Sequence, residues 1–226
     1  MRFQKIFPAL AGAALLIAGV ATAAAPVWLN HAVAAPGRPA DAVKLDEGRK
    51  PAEVLAFLGL KPGMSTADIM TGSGYWAEIL ANAVGPKGKV TAFEPAQFYN
   101  DPDEQKVWAG LTDRRKDIEF VRYPFDAWAA GGRRFDFAII NLNYHDLYWE
   151  SAKYKIPRTD PHAFLKELFA AVKPGGVVGI IDHVGPAGDT RAIVEKLHRI
   201  DPAVVKAEDR CTNEVCSESM LLSRLL

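Results

Sequence analysis

Residues 68–80 read DIMTGSGYWAEIL, with Gly72 and Gly74 one residue apart between an apolar segment and a helical one. Ser65–Met70 is short and apolar enough for a buried strand. Trp76, Ile79, Leu80 and Val84 then recur at helical spacing until GPKG closes the helix. A strand, a glycine turn and a helix in that order aim backbone amides and a helix N-terminus at one point, because glycine lets the chain turn sharply and approach a ligand closely. Taken alone, the turn suits a nicotinamide dinucleotide, a smaller adenosyl cofactor, or no ligand at all.

Outward from this turn, apolar segments at Lys89–Phe93, Ile118–Arg122, Phe135–Leu142 and Val177–Ile181 read as further strands. Helical patterns lie between them: 51–58, 101–111, a helix capped by Asp160-Pro161 with Phe164, Leu165, Leu168, Phe169 and Val172 on one face, and 190–199. KPGG (173–176) is read as the break between helix and fifth strand. Near-continuously apolar strands alternating with helices predict an α/β domain, a doubly wound and mainly parallel sheet covered on both faces. Such a sheet binds ligands at the carboxyl ends of its strands, here just after Met70, Phe93, Arg122, Leu142 and Ile181.

GSGYWA fits G-x-G-x-x-A, and Glu94 lies 20 residues beyond Gly74, so spacing alone allows a dinucleotide. The Glu94 carboxylate would accept hydrogen bonds from a ribose diol in either nucleotide reading. Two features favour a cofactor without phosphate. Asp68 interrupts a strand that a dinucleotide site keeps apolar, and Tyr75 and Trp76 are bulky where a pyrophosphate would lie.

The run LKPGMSTADIMTGSGYWAEILANAVGPKGKVTAFEP (60–95) resembles the cofactor-binding half of class I S-adenosylmethionine-dependent methyltransferases, and AVKPGGVVGIIDH (171–183) resembles their fifth-strand segment. NLNYHDLY and LHRIDPAVVKAE are similar to a group of bacterial predicted methyltransferases, often with signal peptides. The resemblance spans about residues 48–208. It implies a Rossmann-like methyltransferase sheet with S-adenosyl-L-methionine held by Asp68, Gly72, Ser73 and Gly74, with Glu94 on the ribose and Asp126 near the adenine. Met70 departs from the pattern, standing where a glycine is usual. AEDRCTNEVCSESMLLSRLL departs too, being too short for the family's last β-hairpin, so the sheet is expected to lack it and the tail from about 209 to be atypical.

The fourth and fifth strand ends carry Asn141, Asn143, Tyr144, His145 and Asp146, and Asp182 and His183. Methyl transfer needs an aligned acceptor and often a base, so His145 or His183, oriented by Asp146 or Asp182, are the catalytic candidates. A divalent metal is the alternative rather than the expectation, with His198 and Asp201 as residues that would join such a cluster.

Totals bound the partners. The 226 residues are 49% hydrophobic with 27 basic and 27 acidic side chains, enough for one domain and without the basic excess of a nucleic-acid groove. Arg2 and Lys5 precede an uncharged run from Pro8 to Ala25, with Ala32-Val33-Ala34 and Ala21-Thr22-Ala23 as small-residue cleavage sites, which together read as a signal peptide. Residues 1–34 are expected to be removed, 35–49 to form an extended leader and 50–226 the domain. The product would be exported, periplasmic in a bacterium, with an uncleaved membrane anchor as the alternative. Cys211 and Cys216 lack the partners of a zinc site and are equally read as a bridge or as free thiols. The leading function is methyl transfer to a small molecule; a non-catalytic binding protein and an NAD-dependent oxidoreductase are the alternatives. Oligomeric state is not legible.

Overall fold

A computed structural model describes residues 24–212. The expected signal segment up to Ala23, the side chain of Cys211 and all of Cys216 lie outside the described residues. The elements run α1 (Val27–Val33), α2 (Ala40–Lys44), α3 (Asp46–Arg49), α4 (Pro51–Phe57), β1 (Ser65–Ile69), α5 (Tyr75–Val84), β2 (Lys89–Pro95), α6 (Pro102–Arg114), β3 (Ile118–Tyr123), β4 (Phe135–Asn141), α7 (Pro161–Ala171), β5 (Val172–Ile181), α8 (Thr190–Leu197) and α9 (Pro202–Thr212). Asp101, Asp160 and Asp189 cap α6, α7 and α8, each carboxylate accepting a first-turn amide, and the proline after Asp101 and Asp160 occupies the first helical position.

The five strands are parallel in the order β3-β2-β1-β4-β5. Successive β4 residues face opposite layers, as a pleated strand requires. Phe137 and Ile139 join Leu55, Ile79, Leu80, Trp108 and Leu111 on one side, and Ala138 and Ile140 join Leu165, Leu168 and Val205 on the other. Burial on both faces is why β1, β2 and β4 read as apolar runs. The order reverses between β1 and β4, so their carboxyl ends diverge and open a crevice there. Among the described residues no strand follows β5.

Two local expectations are corrected. Residues 35–49 are not extended: they form α2 and α3, fastened by the buried Arg38 guanidinium, which grips both Asp46 oxygens at 2.7 and 2.9 Å and donates to the Val33 carbonyl at 2.7 Å. KPGG does not precede the fifth strand but bulges within it. Phe135 pairs with Val172 while Phe137 pairs with Val177, so the extra residues loop out, with Gly175 at φ 77° and Lys173 bonded to Asp136.

Part of the segment assigned to the signal peptide packs into the core. Leu29 of α1 is fully buried, and the Asn82 amide donates to the Ala32 carbonyl at 3.1 Å, seating α1 on α5. A cavity of about 640 Å³ lies at the opposite, amino edge of the sheet, lined by Ser65, Lys89, Ile118 and Phe135, away from the crevice. Leu29→Ala is expected to lower the unfolding free energy by about 2–5 kcal/mol, the usual result of emptying a fully buried leucine site, measured as a shift of the urea midpoint.

Candidate functional site

At the end of β1, Asp68 is buried beneath the glycine turn. Its Oδ2 accepts the Thr71 hydroxyl at 2.5 Å and the Ala77 amide at 2.8 Å. Gly74, the residue before α5, has no side chain with which to cap it, so Asp68 satisfies a first-turn amide from the strand below. Burial pushes the Asp68 carboxyl up to about 7, against the pull of the Thr71 and Ala77 bonds. Gly72 and Gly74 both adopt left-handed backbone, at φ 56° and 79°. A Cβ on Gly74 would lie 2.5 Å from Leu111, whereas one on Gly72 would meet open space. Met70 takes φ 55°, the conformation a glycine would favour, and its side chain is only 3% exposed, packed into the core. It therefore leaves the crevice clear.

Glu94 ends β2 with its Oε2 accepting the Gly72 amide at 2.9 Å. Burial raises its carboxyl to about 8, with the Asp68 and Glu104 charges adding to that and the Gly72 amide opposing it. The Trp108 indole donates to the Gly72 carbonyl at 2.6 Å and stacks on Phe120, which holds the turn from the far side. Tyr75 points away from the turn: its hydroxyl donates to Asp46 at 2.7 Å, and the Arg49 guanidinium lies 4.4 Å from its ring centre.

Across the crevice, Asp182 at the end of β5 is fully buried. It accepts the His145 amide at 2.8 Å, meets His145 Nδ1 at 2.7 Å and accepts the His183 amide at 2.7 Å. This fixes the imidazole with Nδ1 toward Asp182 and Nε2 toward Asp146, whose Oδ1 is 3.5 Å away. Asp146 also lies 3.7 Å from His198 Nδ1 and takes the Asn143 amide on its other oxygen at 3.1 Å. Burial lowers the His145 pKa, but the Asp182 bond and the Asp146 and Asp182 charges outweigh it and the net direction is upward. Burial pushes Asp146 up. Leu142 and His198, at φ 62° and 48°, are left-handed non-glycine residues like Met70, so strained backbone borders both sides of the crevice.

The family model for protein-L-isoaspartate(D-aspartate) O-methyltransferase matches residues 47–107, from α3 through the glycine turn into α6. The demethylmenaquinone methyltransferase of Lactococcus lactis is 27% identical over 135 residues, 60% of this chain and 48% of that protein. The Bacillus cytotoxicus enzyme of the same name is 28% identical over 132 residues, 56% and 47% of the two chains. The chain thus spans about half the length of the curated relatives it matches. Among solved structures, a SAM-dependent methyltransferase from Aquifex aeolicus superposes with a TM-score of 0.56 at 24% identity, over 78% of this chain and 88% of the other. An arsenic(III) S-adenosylmethionine methyltransferase from Chlamydomonas reinhardtii gives 0.53 at 17%, over 83% and 62%. The fold is that of the class I methyltransferases.

Within this methyltransferase fold, the structure gathers Gly72, Ser73, Gly74 and Glu94 at one side of the crevice, with Asp68 beneath the turn rather than facing it. It gathers His145, Asp146 and Asp182 at the other. Two predicted residues stay apart. Asp126 is exposed in the turn after β3, and the exposed His183 contributes its backbone to Asp182 and Ile200 rather than its ring to the cluster. Sequence reading passed over Tyr123, whose hydroxyl is buried with no hydrogen-bond partner among the described residues and close enough to Glu94 and Asp146 for their charges to raise its pKa, after burial. No local pattern marks it, because its placement comes from the β2–β3 register.

The buried carboxyls set a pH dependence. A carboxyl whose folded pKa is raised keeps its proton when folded and loses it when unfolded, so stability declines with rising pH between the two pKa values. For Asp68 and Glu94 that window runs from about 4 to about 8. The melting temperature is expected to fall across it, and Asp68→Asn with Glu94→Gln to flatten the slope, measured by calorimetry at fixed ionic strength. A slope unchanged in the double variant contradicts the assignment.

Proposed function

We propose that the protein transfers the methyl group of S-adenosylmethionine to a small-molecule acceptor. The observation that carries this is the Asp68 carboxylate on the Ala77 amide. A pyrophosphate at the start of α5 would have to compete with that buried carboxylate for the same helix-end amides, whereas a zwitterionic adenosyl cofactor needs no phosphate site. When bound, S-adenosylmethionine supplies an electrophilic methyl on a sulfonium. Gly72 and Gly74 let the backbone approach it, and Glu94 presents a carboxylate to the ribose hydroxyls.

The acceptor would lie across the crevice, at His145 and Asp146. Its lone pair forms the new bond to the methyl carbon while the carbon–sulfur bond breaks, and the pair stays on sulfur. The proton the acceptor loses leaves at the His145–Asp146 end. Methyltransferases named for demethylmenaquinone, among the relatives, support a small-molecule acceptor as the class.

Export is part of the same reading, and the burial of Leu29 supports cleavage after Ala23 rather than after Ala34, because the later site would strip α1 from the core. N-terminal sequencing of exported protein is expected to begin at Ala24.

Titration calorimetry with S-adenosylhomocysteine and with NAD tests the cofactor. Binding of the first and not the second is expected, with Glu94→Ala weakening it at least tenfold through loss of the ribose bonds. Binding of NAD alone, or of neither, would sink the proposal.

A further inference from the structure

His145 Nε2, Asp146 Oδ1 and His198 Nδ1 lie within 4.8 Å of one another. The carboxylate oxygen is 3.5 Å from one imidazole nitrogen and 3.7 Å from the other. Both spacings exceed an ordinary N–H···O bond of about 2.7–3.2 Å. They match the edges of a coordination shell, since ligands about 2.0–2.2 Å from a tetrahedral ion sit roughly 3.4 Å apart.

The surroundings have the layout of a metal site. His145 is oriented by a carboxylate on its other nitrogen, the Asp182 contact at 2.7 Å, which leaves the Nε2 lone pair facing Asp146. Asn143 occupies Asp146 Oδ2 at 3.1 Å and leaves Oδ1 toward the two histidines. His198 is half exposed and held in left-handed backbone at the end of α8, with Trp149 edge-on at 5.0 Å. The ring is thus presented at the mouth of the site, a conformation that a plain helix end would give to glycine. The buried Tyr123 hydroxyl, unpartnered among the described residues, lies within electrostatic reach of Asp146.

We propose that His145, Asp146 and His198 bind one divalent transition-metal ion of the zinc or iron(II) class. Two imidazoles and one carboxylate favour such ions over magnesium, which prefers an all-oxygen shell. Three protein ligands leave coordination positions open. The role of the ion rests on the proposed methyl transfer: an acceptor hydroxyl bound at an open position loses its proton to solvent more readily, its oxygen then bonds to the methyl carbon, and His145 serves as a ligand rather than as the base. Ion binding itself does not depend on that reading.

The full chain, stripped with chelator, loaded with Zn²⁺ and dialysed, is expected to retain one ion by mass spectrometry, and loading with Mg²⁺ none. The Co²⁺-substituted chain is expected to show the visible absorption of a low-coordinate site with nitrogen and oxygen ligands. His198→Ala, whose side chain is half exposed and not needed for the core, is expected to lose the ion. Asp182→Asn is expected to weaken it about 10–100-fold. His162→Ala, on the exposed face of α7, is expected to retain it. Failure to retain zinc, or full retention by His198→Ala, overturns the inference; the latter places the ion elsewhere, for instance on the tail thiols. A chain that binds zinc but not S-adenosylhomocysteine sinks the methyltransferase reading alone, and the reverse result sinks only the metal site.

Discussion

The buried carboxylate of Asp68 joins the strand, the turn and the helix that shape the crevice. By taking the Ala77 amide and the Thr71 hydroxyl, it fixes where α5 starts relative to β1, across a glycine that cannot cap the helix itself. The Gly72 amide is then free to meet Glu94 from β2, and the Gly72 carbonyl to meet Trp108 from α6. Two elements, β2 and α6, converge on one residue of the turn as a consequence. Desolvating a carboxylate so fully is costly, and the hydrogen bonds it accepts offset that cost.

The second half of the crevice obeys a similar rule. Asp182, buried at the end of β5, holds the backbone and ring of His145 from the loop after β4, so one carboxylate ties two adjacent strand ends together. Farther along the chain, Glu208 of α9 accepts the hydroxyls of Tyr144 and Tyr148 and anchors the short helix at Tyr144–Tyr148 that presents His145 and Asp146. Left-handed backbone at Met70, Leu142 and His198 borders these two halves. Strain held around a crevice is tolerated only where the surrounding packing over-determines it.

The two halves differ in how legible they were. Gly72, Gly74 and Glu94 are close in sequence, and turn chemistry and strand length fix their relation. Met70 departs from the glycine pattern in one dimension; its φ of 55° and its buried side chain show a residue that adopts the glycine conformation and turns inward. His145 and Asp182 were both named as candidates, but their pairing across 37 positions was not readable. His183 and Asp126 carried the right chemistry at the right strand ends and still face solvent, because side-chain direction after a strand depends on the loop that follows.

The sequence by itself determined the layered parallel sheet and the positions of the strands, since apolar periodicity, Asp-Pro caps and glycine turns are local properties. Only the tertiary structure decided that α1 packs on α5, that Asp68 supports the turn from below, and that His145, Asp146 and His198 converge. Those outcomes depend on contacts between distant segments, whose geometry follows from packing and register rather than from the residues on either side.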